Sequence, residues 1–178
     1  KDKKNFDVVL LSANNNYKEL ISQAKKFKAK NIIIKNELFY KKVKKLLKKT
    51  KIRVFSGNIP LSNIISRKID LTMSAIVGLA GLQPTVDAIK ISKTVALANK
   101  ETIICGWHIL KNLKEKYKTK ILPVDSEHFS IMELIQNVPD SEVGEIIITA
   151  SGGPFLFTPI KKLNYINASQ AIRHPNWK

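Results

Sequence analysis

Two kinds of segment alternate along the chain, and they keep different periods. "FDVVLLS" (6–12), "NIIIK" (31–35), "RVFSG" (53–57), "DLTMSAI" (70–76) and "TVALAN" (94–99) are short, rich in β-branched residues and bounded by polar positions, as buried strands are. Between them apolar residues recur at helical spacing. Leu20, Ile21, Ala24 and Phe27 form one stripe, and Leu38, Val43, Leu46 and Leu47 another; Val86, Ala88, Ile89 and Ile91 follow Pro84, a residue suited to a first helical turn. Strands this apolar need cover on both faces, and a β-α-β-α order supplies it, so the pattern predicts an α/β fold with a parallel sheet. Ligands of such sheets bind beyond the carboxyl ends of the strands.

Composition narrows this picture. The 178 residues are 44% hydrophobic, enough for a real core. No uninterrupted apolar run is long enough to span a bilayer, and the charged start is not followed by a signal-type segment. Cys105 is the single cysteine, so no intramolecular disulfide framework or zinc cluster is expected. The net charge of +17 raises the question of nucleic acid. Lysine supplies nearly all of it, with arginine only at Arg53, Arg67 and Arg173, whereas base and phosphate readers favour arginine forks. In "KKVKKLLKKTK" (41–51) the lysines interleave with Val43, Leu46 and Leu47, as on a solvated helix face. Neither a nucleic-acid nor a membrane partner is expected; a basic nucleic-acid-binding module is the weaker alternative.

The fold type normally carries a glycine-rich turn after its first strand, but "SANNN" (12–16) contains no glycine. The expectation is therefore that the first strand and its turn are missing, and that the chain, which ends in "RHPNWK", is an interior piece of a longer protein.

Five segments carry candidate chemistry. Asn14, Asn15 and Asn16 stand at a strand end where NAD enzymes usually place an acid; their amides are compatible with a 2′-phosphate, and equally with a turn and a helix cap. In "LANKET" (97–102), Lys100 sits where phosphates and carbonyls bind, and Asn99 can hydrogen-bond a cofactor amide or cap a helix that has Glu101 in its first turn. In "PVDSEHFS" (123–130), extended backbone would send Asp125 and Glu127 to one side, suiting a hard divalent ion, while a helical start would make the same residues caps. "TASGGPF" (149–155), after the expected strand "EIIIT" (145–149), offers an anion nest or a tight turn. "RHPNW" (173–177) sets His174 beside a proline and a tryptophan.

"LANKE", "PVDSEH", "TASGGPF" and "RHPNW", in that order, resemble the 1-deoxy-D-xylulose 5-phosphate reductoisomerase family, and "SAIVGLAGLQPTVDAI" (74–89) is similar to its cofactor domain. The resemblance implies a Rossmann-like NADPH-binding domain over 1–122, followed by the start of an α+β catalytic and metal-binding domain over 123–178 with a lid loop. It implies NADPH and Mg²⁺ or Mn²⁺, with Co²⁺ possible. The implied reaction is rearrangement and reduction of 1-deoxy-D-xylulose 5-phosphate to 2-C-methyl-D-erythritol 4-phosphate in isoprenoid synthesis. Residue by residue, it assigns Asp125 and Glu127 to the metal, and Lys100, Ser126, Glu127, Ser151, His174 and Trp177 to the substrate. Lys100, Glu127 and His174 are the implied catalytic groups, and Asn14, Asn15, Asn16, Asn99 and Glu101 line the cofactor. A homodimer in the bacterial cytoplasm, or in a plastid-type organelle, belongs to the same expectation. At Asn15 no cation stands where the family's turn has one. A metal-independent NADP-dependent dehydrogenase is the alternative enzyme.

Overall fold

The computed structural model describes residues 5–149 and 152–173. The chain divides into two compact units, Lys1–Asp125 and Ser126–Lys178.

The described residues of the first unit form six parallel strands in two sheets. β1 (Leu10–Ala13), β2 (Asn31–Ile34) and β3 (Arg53–Ser56) lie in the order β1-β2-β3; β4 (Ile69–Ser74), β5 (Ser92–Leu97) and β6 (Lys120–Pro123) lie in the order β4-β5-β6. The registers align Leu11 with Ile32 and Ile32 with Val54, and, in the second sheet, Ser74 with Leu97 and Leu97 with Pro123. Strand ends within each sheet therefore come out at a common edge.

Helices fill the crossovers. α1 (Tyr17–Lys26) starts at Asn16, whose side chain accepts from the Glu19 amide at 3.2 Å, and its chain turns back at Lys28, a residue with φ +53°. α2 (Tyr40–Leu46) follows a 3₁₀ turn at Glu37–Phe39 that Asn36 caps. α3 (Leu82–Ile91) carries Pro84 in its first turn, where the missing amide breaks no helical bond. α4 (Lys100–Tyr117) ends at the left-handed Lys118. Gly106 of α4 lets α3 approach, because a Cβ there would lie 2.5 Å from Leu82 Cδ1.

The apolar pattern explains the core. Ile32 and Ile34 of β2 join Leu20, Ala24, Val43 and Leu47 on one face. Ile33, pointing the other way by the period of two, joins Ile64, Ile65 and Ile91. β2 is thus covered on both faces, as its unbroken apolar run requires. A third cluster, Ala88, Ile89, Val95 and Leu110, fixes α3 and α4 to β5. Each fully buried branched side chain contributes roughly 1.5–3 kcal/mol.

Three details depart from the sequence reading. Leu38 is exposed because it lies on the 3₁₀ turn ahead of α2, and Leu46 is exposed on the outer side of that helix. Leu71 and Met73 of β4 are also exposed; among the described residues β4 is an edge strand that pairs with β5 alone. The expected strand "EIIIT" does not form over 145–149, where Ile146, Ile147 and Ile148 are exposed. Among the described residues no strand pairs with it, and an isolated strand has no independent stability.

The second unit begins with α5 (Ser126–Ile135) and continues through 3₁₀ turns at Asp140–Glu142, Gly153–Phe155 and Ile160–Tyr165 to α6 (Ala168–Ala171). Its order comes from local chemistry: Asn167 and Gln170 form a reciprocal capping box at α6. None of its described residues is buried.

Candidate functional site

At the carboxyl edge of the first sheet, the three asparagines are turn and cap residues. Asn16 caps α1, Asn15 Oδ1 accepts from Asn36 Nδ2 at 2.8 Å, and the Asn14 carbonyl accepts from the Asn36 amide at 3.1 Å. Asn36, which the sequence reading passed over, is thereby part of this edge. Its signal was position, since it closes "NIIIKN" just beyond β2. Lys35 precedes it, with its amide donating to the Ala13 carbonyl at 2.9 Å. Tyr17, at the start of α1, stacks on Phe39 with ring centroids 4.9 Å apart, and a hydrogen bond with Lys42 holds its hydroxyl below the usual tyrosine range.

The carboxyl edge of the second sheet gathers the richer set. Ala98 N donates to the Ser74 carbonyl at 2.9 Å and Val124 N to the Leu97 carbonyl at 3.0 Å, so the chain leaves β4, β5 and β6 side by side. Beyond β4 runs the loop Ala75–Gly81, beyond β5 come Asn99 and Lys100, and beyond β6 comes Asp125. Lys100 and Glu101 occupy the first turn of α4, with Lys100 exposed and Glu101 half-buried. Asn99 is buried, at 3% exposure, and caps α4 by accepting from the Thr102 amide at 2.9 Å. Its amide group donates to the carbonyls of Ile76 and Gly78. No residue of the Ala75–Gly81 loop was a sequence-derived site candidate, because the loop carries no polar side chain.

Asp125 is half-buried, and its Oδ2 atom is shielded from solvent. In the second unit, Ser126 and Glu127 open α5, and the Ser126 hydroxyl donates to Glu127 Oε2 at 3.0 Å. A carboxylate shielded at a strand end and another in a first helical turn fit an oxygen-seeking divalent cation in donor type. Among the described residues no group of three or more His, Cys, Asp or Glu side chains converges on one point. Gly152 and Gly153 both have positive φ, +74° and +62°, a conformation that favours glycine at each. Ser151, His174 and Trp177 lie outside the described residues. No helix among the described residues is long and apolar enough to cross a membrane.

The model of the 1-deoxy-D-xylulose 5-phosphate reductoisomerase family matches residues 1–106, and the model of that enzyme's C-terminal domain matches residues 121–178. The enzyme of that name from Pelagibacter ubique is 48% identical over 99% of this chain and 46% of its own length. The one from Wolbachia pipientis subsp. Culex pipiens is 43% identical over 100% of this chain and 46% of its own. Among solved structures, the Zymomonas mobilis reductoisomerase in complex with NADPH superposes with a TM-score of 0.83 at 36% identity, over 98% of this chain and 46% of that one. A DOX-P reductoisomerase in complex with NADPH, fosmidomycin and magnesium gives a TM-score of 0.76 at 27% identity, with the same coverage, 98% and 46%. With a family model covering more than half of its residues and a fold of the same parallel α/β kind, this chain, which spans about half the length of these relatives, belongs to the 1-deoxy-D-xylulose 5-phosphate reductoisomerase family.

Proposed function

We propose that this chain is the cofactor-binding and metal-site part of an NADPH- and divalent-metal-dependent enzyme converting 1-deoxy-D-xylulose 5-phosphate to 2-C-methyl-D-erythritol 4-phosphate. Residues 1–122 form the cofactor domain in this reading, and 123–178 begin the catalytic domain with its lid. The observation that carries it is the adjacency of strand ends in the second sheet, which sets the "ANKE" and "PVD" motifs beyond neighbouring strands β5 and β6.

The residues then have separable tasks. Lys100 holds the anionic end or an oxygen of the substrate as a mobile point charge. Asp125 and Glu127 hold the cation, Mg²⁺ or Mn²⁺, with the Ser126 hydroxyl orienting Glu127. The bound ion supplies Lewis acidity at the substrate's carbonyl and hydroxyl oxygens, and the cofactor supplies hydride. Asn14, Asn15 and Asn16 leave the ribose edge without a carboxylate, and Lys35 at the same edge offers a cation for a 2′-phosphate, so NADPH is favoured over NADH. Glu101 and Asn99 belong to the nicotinamide side. Ser151 and His174 hold the phosphate end, and Trp177 closes over it, with Gly152 and Gly153 as the hinge that lets water be excluded. The bacterial relatives support a cytoplasmic setting, and a homodimer is part of the same reading.

The test uses the intact protein. Asp125→Asn and Glu127→Gln should each lower kcat by about a hundredfold or more and weaken Mn²⁺ binding measured by calorimetry, with NADPH affinity nearly unchanged. Near-wild-type turnover in both variants, or turnover in excess chelator, would instead indicate a metal-independent dehydrogenase.

A further inference from the structure

The loop Ala75–Gly81 is built the reverse of an ordinary surface loop. Its outward side chains are apolar, with Val77 82%, Leu79 63% and Ile76 40% exposed, while the groups that hold it from beneath are polar and buried. Asn99 gives its amide protons to the Ile76 carbonyl and, at 2.8 Å, to the Gly78 carbonyl. Thr85 Oγ1 donates to the Gly81 carbonyl at 2.7 Å. Because that uses the single hydroxyl proton of Thr85, Ser74 Oγ is the donor across the 2.6 Å contact between the two hydroxyls. Ser74, Thr85 and Asn99 are 6%, 0% and 3% exposed. Gly81 completes the fit. Its backbone is ordinary helical, φ −80° and ψ −16°, so the glycine is needed for space rather than for conformation: a Cβ would overlap the Asn99 amide nitrogen and the Ile76 carbonyl oxygen. Burying three polar side chains, Asn99 and Thr85 on loop carbonyls and Ser74 on Thr85, beneath a loop that leaves its apolar side chains in water is costly for stability alone. It is what a preformed apolar wall requires.

We infer that Asn99 is a positioning residue that clamps the Ala75–Gly81 loop to the amino end of α4, presenting the loop's apolar face as a preformed wall for the flat nicotinamide end of the cofactor. This rests on the NADPH reading above and deepens it, since Asn99 then serves the cofactor through the loop rather than by direct contact. The same side chain caps α4, so the loop and the turn carrying Lys100 and Glu101 are held as one body.

Asn99→Asp separates the two roles in the intact protein. Aspartate is as good a cap and favours a helix amino end, but it has no proton for either carbonyl and repels both. Gly81→Ala disturbs the clamp from the loop side, with Asn99 retained. In the cofactor-free protein, amide exchange over Val77–Gly81 should speed up about tenfold in either variant, while the first turn of α4 exchanges as before in Asn99→Asp. The KM for NADPH should rise about tenfold, with the smaller part of the change in kcat. Wild-type exchange in the loop of Asn99→Asp would reduce Asn99 to a cap and overturn the inference. So would faster loop exchange in both variants with unchanged NADPH affinity. Exchange needs neither substrate nor turnover, so a wild-type protein that failed to use NADPH would count against the functional reading while the clamp was still measured.

Discussion

The two sheets of the first unit solve the same packing problem with different chemistry. Around β1, β2 and β3 the buried set is almost wholly aliphatic, with Leu20, Ala24, Ile32, Ile34, Val43 and Leu47 under helices whose outer faces are lysine. Asn31 is the exception, and it is matched by the Val9 carbonyl and the Arg53 side chain. Around β4, β5 and β6 the buried set includes Ser74, Thr85, Ser92, Asn99, Thr102 and Thr119. Three of these six, Thr85, Asn99 and Thr119, donate to backbone carbonyls, and the richest concentration lies at the edge where the loop, Asn99 and Lys100 meet. The difference separates hydrophobic burial, which gives stability without direction, from buried hydrogen bonds, which fix a loop in one place.

Substitution can break that contrast or sharpen it. The largest effect belongs to the aliphatic sheet: Ile34→Ala should cost about 2–5 kcal/mol in denaturant unfolding of the intact protein, because Ile34 is fully buried in the cluster that joins β2 to α1 and α2. A loss under about 1 kcal/mol would mean that this cluster collapses easily and is not the rigid half. Two threonines divide the polar half. The Thr119 hydroxyl shares its proton between the carbonyls of Ile89 at 2.7 Å and Ser92 at 3.0 Å, so Thr119→Val should cost about 1–2 kcal/mol. The Thr102 hydroxyl is buried with no hydrogen-bond partner among the described residues, so Thr102→Val should be neutral or stabilising by up to about 1 kcal/mol. Equal losses at both positions would show that hydroxyl count, not hydrogen bonding, sets stability here.

The smallest effect is electrostatic. Lys93 Nζ lies 2.8 Å from Asp70 Oδ1 on the exposed side of the second sheet, and the hydrogen bond and charge of that lysine hold the Asp70 carboxyl below the usual aspartate range. A carboxylate depressed on folding contributes above its unfolded pKa, near 4, and loses that contribution as pH falls through the folded value. Carbon-detected titration should place Asp70 low at modest salt, and Lys93→Gln should return it to the ordinary range. At such exposure the accompanying change in stability should be small.

Much of the fold was legible in the sequence, for a physical reason. β2, β3 and β5 fall within two residues of the runs at 31–35, 53–57 and 94–99, since a branched apolar run flanked by polar residues has few other ways to be buried. Leu38 was misread because the periodicity of "ELFYKKVKKLL" could not show that its first turn is 3₁₀ rather than α-helical, and Leu46 because the buried stripe through Val43 and Leu47 leaves it on the outer side of α2. "EIIIT" was misread because a strand is a property of a pair, and pairing partners are invisible in a local pattern. At the candidate site, Lys100, Asp125 and Glu127 could be proposed from their side chains. The Ala75–Gly81 clamp could not, because its accepting groups are backbone carbonyls, which every sequence possesses.

The strand order has a kinetic consequence. In each sheet the neighbours in space are also neighbours in sequence, β1-β2-β3 and then β4-β5-β6. During synthesis β2, β3, β5 and β6 can therefore each dock on the strand that left the ribosome just before it, closing a loop about as long as one crossover helix. The lysine-clad first sheet can form its cluster by the time residue 57 has emerged, well before Asn99 exists to clamp anything. The aliphatic half can thus serve as a folding template, and the hydrogen-bonded half, whose buried side-chain bonds join groups up to 30 residues apart, as the step that completes it.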